Sequence, residues 1–108
     1  MRWFAKRALT SSMDVELHPE ADLEFLEASQ RYESRVSGLG SRFIDEFEGL
    51  KELLRERPEI GVRITRPFRR AVFRTFPFSL IYSIEGSLIW VVALAHQRRR
   101  PGYWRKRQ

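Results

Sequence analysis

The chain has 108 residues, a hydrophobic fraction of 43% and no cysteine. This length suits one domain with a single core, and the hydrophobic fraction excludes a chain that is disordered throughout. Without cysteine, disulfides, thiolate metal sites and thiol nucleophiles are excluded. No apolar run approaches the roughly 18 residues of a membrane span, and residues 1–12 lack the apolar core of a secretory signal. We therefore expect a cytoplasmic protein with no membrane partner.

The two halves of the chain carry opposite net charges. Residues 14–60 contain 13 of the 14 acidic residues and six basic ones, a net charge of −7. Residues 61–108 contain 11 basic residues and one acidic residue, Glu85, a net charge of +10. This separation favours an acidic or polyanionic partner on the C-terminal half. A solvated surface of uneven charge is the alternative.

The N-terminal half predicts one strand and two helices. Residues 13–18 alternate apolar and polar side chains, as a half-buried strand does. Two segments with helical spacing follow, separated by Gly38-Leu39-Gly40. Pro19 is expected at the first helical position of one, and Ser41 as the N-terminal cap of the other. Their apolar positions are Ala21, Phe25, Ala28, Tyr32 and Val36, and then Phe43, Phe47, Leu50 and Leu54. The short connection predicts an antiparallel helix hairpin.

The C-terminal half predicts a three-stranded antiparallel meander over residues 69–76, 78–85 and 88–96, after a loop from Gly61 to Pro67. The last strand is apolar on both faces from Leu88 to Ala95, so we expect it inside a sheet that is covered on both sides. The N-terminal strand is the neighbour that remains for it. The prediction is an α+β fold with one four-stranded sheet on two helices, in the order first, second and third meander strand and then N-terminal strand. The relative direction of the N-terminal and last strands is left open.

His96 follows the last strand, where the sequence changes within one residue from apolar to cationic. Imidazole titrates near neutral pH, which suits general acid–base catalysis. A hydrogen-bonded histidine without a catalytic task is the alternative.

Arg69, Arg70 and Arg74 lie in the first predicted meander strand. Guanidinium groups bind phosphate and carboxylate in a bidentate manner. If Ala71 and Phe73 face the helices, Arg70 and Arg74 share the open face of the sheet, where a ligand would lie. A charged strand that resists edge-to-edge aggregation is the alternative.

The C-terminal tail mixes cations with aromatic side chains. The residues concerned are Arg98, Arg99, Arg100, Tyr103, Trp104, Arg105 and Lys106. Contacts to phosphates and stacking on bases would use both kinds of side chain. Alternatively, Tyr103 and Trp104 fold back onto the core. No metal-ligand spacing, phosphate-binding glycine loop or nucleophile triad occurs, so no metal and no cofactor is expected.

The order of strand, acidic helix hairpin and three-stranded meander resembles the RelE/ParE superfamily of type II toxins from bacterial toxin–antitoxin modules. The resemblance rests on Leu17-His18-Pro19-Glu20-Ala21, Gly38-Leu39-Gly40 with Arg42-Phe43, Phe76-Pro77-Phe78-Ser79-Leu80-Ile81-Tyr82, and Val91 to Trp104. It covers residue 13 to about residue 105. It implies that Met13 is a natural start, that residues 1–12 are an N-terminal extension and that residues 13–108 form a single toxin domain.

The resemblance also implies partners and activity. A cognate antitoxin with an acidic segment would neutralise the toxin in a hetero-oligomer. ParE-like members inhibit DNA gyrase, whereas RelE-like members are metal-independent ribonucleases that cut messenger RNA in the ribosome. In a ribonuclease, the catalytic residues would be His96, Arg74, Arg70 and Tyr103. The target-binding residues would be Arg69, Arg98, Arg99, Arg100, Trp104 and Arg105.

The lysine-rich sheet face of the nuclease branch is missing, because Lys51 falls on a helix and Lys106 in the tail. The long acidic helix hairpin resembles the ParE branch. We therefore favour a non-enzymatic toxin directed at gyrase. A ribosome-dependent endoribonuclease is the second hypothesis, and a non-toxic nucleic-acid-binding module is the third.

Overall fold

The computed structural model describes residues 13–107. Its elements are β1 (Asp14–Leu17), α1 (Pro19–Arg35), α2 (Leu39–Glu56), β2 (Val62–Arg63), β3 (Phe68–Val72), β4 (Phe78–Glu85) and β5 (Leu88–His96). The extension predicted for residues 1–12 lies outside the described residues. That assignment, and the single domain over residues 13–108, stay predictions.

The two helices form the predicted hairpin. Pro19 occupies the first helical position of α1, and the Nδ1 atom of His18 accepts a hydrogen bond from the backbone N–H of Glu20 at 3.0 Å. The prediction of Ser41 as the cap of the second helix is wrong: α2 begins at Leu39, and its cap residue is Gly38, which makes the turn with a φ of 88°. The carboxylate of Glu33 accepts the N–H groups of Gly38 and Gly40 at 3.0 and 2.9 Å, and so completes this turn.

The sheet has five strands in the order β1-β5-β4-β3-β2. The four predicted strands stand in the predicted order, and β2 is added at the edge, where Val62 lies opposite Arg70. The prediction of a loop from Gly61 to Pro67 is therefore wrong at Val62–Arg63. The strands β1 and β5 are parallel, whereas the other pairs are antiparallel. The predicted strand over residues 69–76 ends early, at Val72.

The strand β5 lies between β1 and β4 and is covered on both faces, as its composition predicts. On the helix side, Ile89, Val91 and Leu94 belong to the main core with the aromatic residues of α2. On the open side, Val92 and Ala93 pack with Ile81 and Trp104. The C-terminal segment itself therefore supplies the second cover of the sheet.

No helix within residues 13–107 is both long enough and apolar enough to cross a bilayer.

Candidate functional site

One carboxylate, that of Glu24 on α1, fastens the C-terminal segment (residues 97–107) to the rest of the molecule. It accepts hydrogen bonds from the hydroxyl of Tyr103 at 2.7 Å and from Nη1 and Nη2 of Arg107 at 2.9 Å each. It also accepts the backbone N–H of Leu94 at 3.0 Å. The Glu24 side chain is only 14% exposed, so this group is a partly buried ionic network.

The network also provides hydrogen-bond partners for backbone groups of β5. The strand β1 pairs with β5 only as far as Val91, whose carbonyl accepts the N–H of His18 at 2.8 Å. Further along this side of β5, Nη1 of Arg107 donates to the carbonyl of Val92 at 2.9 Å, and Glu24 accepts the N–H of Leu94. A buried backbone group without a partner costs about 1–3 kcal/mol, so these side chains replace the missing strand.

The network also sets protonation states. Burial alone would raise the pKa of Glu24, but hydrogen bonds from Arg107, Tyr103 and Leu94 outweigh it and hold that pKa below its usual range. Burial and the neighbouring Glu24 carboxylate raise the pKa of Tyr103. At neutral pH the carboxylate is therefore charged and the phenol is neutral. A phenol that already donates to a carboxylate is poorly suited to accept a proton from a substrate.

His96 lies in a cleft of about 310 Å³ between α1 and the end of β5. Its Nδ1 atom accepts the backbone N–H of Arg98 at 3.0 Å, so the neutral ring carries its proton on Nε2. The ring packs edge-on against Phe78, with the centroids 5.0 Å apart. The other lining residues are Glu24, Glu27, Ala28, Arg31, Leu94, Arg98 and Arg99. This cleft combines both signs of charge.

A second cleft, of about 400 Å³, lies on the open face of the sheet beneath the C-terminal segment. Its cationic lining residues are Arg70, Arg99, Arg100 and Arg105, with His96 at the boundary to the first cleft. No aspartate or glutamate lines it. An opening with only positive charge attracts an acidic surface or a polyanion.

The remaining predicted arginines lie elsewhere. Nη1 of Arg69 donates to the carbonyls of Glu59 and Gly61 at 3.0 and 2.9 Å, so this side chain braces the turn before β2. Arg74 follows the end of β3 and lines a separate cleft beside α2, where Glu46 binds its backbone N–H. The expected common face of Arg70 and Arg74 is therefore not formed, because the strand ends before Arg74.

Trp104 is 5% exposed, and its ring packs against Phe68 with the centroids 4.8 Å apart. Trp104 therefore folds back onto the core, which is one of the two alternatives that the sequence left open for the tail. A ring buried in this way is not available to stack on a base. Tyr103 is also covered, since the guanidinium of Arg99 lies 3.7 Å from its ring centroid.

Sequence reasoning missed Glu24 and Arg107. A signal for Glu24 was present, because it lies three residues after Ala21 and four before Ala28, within the apolar stripe of α1. A carboxylate at such a position needs a buried partner. Arg107 has no comparable signal, since it is one of several cations near the C-terminus.

Residues 13–107 contain no group of three or more histidine, aspartate or glutamate side chains that would hold a metal ion.

The chain thus combines a helix hairpin on one face of a mixed sheet with a cationic C-terminal segment on the other, the architecture of a small α+β protein. The model of the family described as ParE toxin of type II toxin-antitoxin system, parDE, matches residues 15–101. The chain therefore belongs to the ParE toxin family. The resemblance drawn from the sequence, including its ParE-like branch, is confirmed.

Among solved structures, the chain is similar to one from the chromosomal ParDE TA system from P. aeruginosa. The TM-score is 0.67 at 14% sequence identity, over 80% of this chain and 97% of that chain. At this identity the likeness shows the fold. No curated protein matches this chain.

Proposed function

We propose that this chain inhibits DNA gyrase in the cytoplasm as a non-enzymatic toxin, and that a cognate antitoxin with an acidic segment neutralises it. Membership of the ParE toxin family supports the general role. The observation that carries the choice of target is the state of the groups that a nuclease would need. Tyr103 is engaged by Glu24, and Arg74 lines a cleft other than that of His96.

Acid–base cleavage of a phosphodiester requires its catalytic groups within hydrogen-bond reach of the reacting atoms. Stabilising the developing charge requires cations at the same place. Here His96 lies between two clefts, with Arg98 in one and Arg70 in the other, and Arg74 lies in a third cleft beside α2. This dispersed arrangement suits recognition of a surface better than it suits one reacting phosphate.

The basic open face is well placed to bind the target or the antitoxin. Arg70, Arg100 and Arg105 line a cleft without carboxylates, and Arg98 and Arg99 continue this charge towards α1. Complementary charge increases the association rate and the specificity of a complex. An acidic antitoxin segment on this face would also neutralise the net charge of +10 in the C-terminal half.

A ribosome-dependent endoribonuclease is the second candidate. One observation favours it: His96 shares its cleft with three arginines, namely Arg31, Arg98 and Arg99. In this scheme His96 would move a proton while the arginines bind the scissile phosphate.

The test compares two reactions of the purified chain. We expect inhibition of gyrase supercoiling and no cleavage of ribosome-bound message, and we expect His96→Ala to inhibit gyrase as the wild type does. Codon-positioned cleavage that His96→Ala abolishes would establish the ribonuclease instead. If the wild type neither inhibits supercoiling nor cleaves ribosome-bound message, the chain is a binding module without toxicity.

A further inference from the structure

The hairpin formed by β2 and β3 (residues 62–72) carries four arginines and no acidic residue: Arg63, Arg66, Arg69 and Arg70. None of the ion pairs formed within residues 13–107 includes any of them. Three of them, Arg63, Arg66 and Arg69, line a cleft of about 530 Å³ that differs from the three described above and adjoins the open-face cleft at Ile64. Its other lining residues are Ile64, Pro67, Phe68 and Ile84, so no carboxylate balances the charge there.

Two of these arginines face each other across the strands. Arg63 on β2 pairs directly with Arg69 on β3. Like charges at directly opposed positions of an antiparallel pair are destabilising. A bound anion between them would convert this repulsion into two favourable contacts.

Hydrogen bonds to backbone carbonyls hold the guanidinium of Arg69 in place. Its Nη1 atom donates to the carbonyls of Glu59 and Gly61, which leaves Nε and Nη2 without a partner among the described residues. Gly61 is in turn fixed by Tyr82, whose hydroxyl accepts the Gly61 N–H at 3.0 Å and donates to the carbonyl of Pro58 at 2.6 Å. A guanidinium supported in this way loses little freedom when it binds a ligand.

We propose that this hairpin cleft binds phosphate groups of a nucleic-acid backbone through Arg63, Arg66 and the remaining donors of Arg69. Phosphate oxygens match the paired donors of guanidinium, and all three cations here are arginines. Arg70, on the other face of the same hairpin, leads into the open-face cleft, so the positive charge continues past the hairpin edge. A backbone with regularly spaced anions would engage both faces.

The contacts in this cleft are expected to be independent of base sequence. The aromatic residue in it, Phe68, is half-buried and packs against Trp104, so it does not offer a free face for stacking. Binding to nucleic acid at this cleft can be tested independently of gyrase inhibition, because gyrase is absent from the binding assay.

The test measures binding of a fluorescently labelled 20-base-pair DNA duplex to the full chain by anisotropy, at several salt concentrations. We expect the double variant Arg63→Gln/Arg66→Gln to raise Kd by about tenfold or more and to reduce the slope of log K against log salt by about 1.8. Arg63→Lys/Arg66→Lys should recover part of the affinity, since it keeps the charges and loses the bidentate geometry. Duplexes of unrelated sequence should bind equally well.

The matched control is Arg35→Gln/Arg42→Gln, which removes the same charge from the helix hairpin and should change Kd by less than the cleft variant. Thermal unfolding verifies that each variant is folded. Equal losses in both double variants would show a general charge effect and overturn the proposal. It would also be overturned if poly-glutamate of equal charge bound as tightly as DNA and lost as much affinity in the cleft variant. Aggregation of the cleft variant with unchanged DNA affinity would instead identify these arginines as protection of the sheet edge.

Discussion

The hydroxyl of Tyr103 donates a hydrogen bond to the carboxylate of Glu24 at 2.7 Å, which joins the C-terminal segment to the first helix. The same carboxylate pairs with both Nη atoms of Arg107. The segment that carries the cations of the open face is thus fastened by a group 79 residues away in sequence. Its position depends on the helix layer as well as on its own turns.

The first prediction concerns the substitution Glu24→Gln. The amide keeps one acceptor but removes the charge that pairs with Arg107, whose side chain is 15% exposed. We expect a loss of about 2–4 kcal/mol in the free energy of unfolding, and faster hydrogen exchange at the Leu94 amide and across residues 97–107. Urea denaturation and exchange mass spectrometry measure both. Glu27→Gln on the same helix is the matched control, and an equal effect of the two variants would disprove the role of the network.

The second prediction concerns pH. The pKa of Glu24 is lower in the folded state than its ordinary value of 4.5. The unfolded chain therefore binds the proton first, so the contribution of Glu24 is complete above that ordinary value and is lost as the pH falls through the folded value. The stability difference between wild type and Glu24→Gln should be largest at neutral pH and should shrink below about pH 4.5. A difference that stays constant down to pH 3 would contradict this linkage.

The third prediction concerns Tyr82, which is fully buried and bridges Gly61 and Pro58 through its hydroxyl. Tyr82→Phe leaves a buried N–H and a carbonyl without this partner. We expect a loss of about 1–3 kcal/mol in the free energy of unfolding. Tyr32→Phe is the control, since its hydroxyl makes no hydrogen bond within residues 13–107. If the two variants are equally stable, the Tyr82 bridge contributes nothing measurable.

The fourth prediction separates a core role of Trp104 from a target-binding role. Trp104→Ala removes the ring that covers Ile81 and Val92 on the open face of the sheet. We expect a loss of about 3–5 kcal/mol in the free energy of unfolding, as for other large core aromatics. Iodide should quench the fluorescence of Trp104 poorly in a variant that keeps it as the only tryptophan. Unchanged stability together with lost target binding would reverse this interpretation.

The fifth prediction concerns the exposed cations that the network leaves free. Arg98→Gln/Arg100→Gln should weaken gyrase inhibition by about 3- to 10-fold at low salt and by less at high salt, because exposed charges are screened. Arg35→Gln/Arg42→Gln carries the same charge change on the helices and should inhibit gyrase as the wild type does. An equal loss in both variants would indicate an effect of net charge alone.

The pattern of apolar, polar and turn residues along the chain predicted the long helices and strands well. The bounds of β4 and β5 agree with the sequence prediction, since Pro77, the turn at Gly86 and the change from apolar to cationic residues at His96 mark their ends. The strand β2 was missed because two residues have no recognisable period. The end of β3 was misplaced because Phe73 is buried against Phe43 from an irregular segment, where apolar character continues after the strand has ended.

The layer order, the central place of β5, the separation of charge and the resemblance to the RelE/ParE toxins could all be inferred without coordinates. These follow from periodicity, composition and element order, all of which are read along the chain. Which cations are engaged could not be inferred in this way, because it depends on contacts between residues that are distant in sequence. Arg107 pairs with Glu24, Arg69 donates to two carbonyls, and Arg74 lies away from Arg70 because the strand ends between them. The cations that remain free after these contacts are the ones available to a partner.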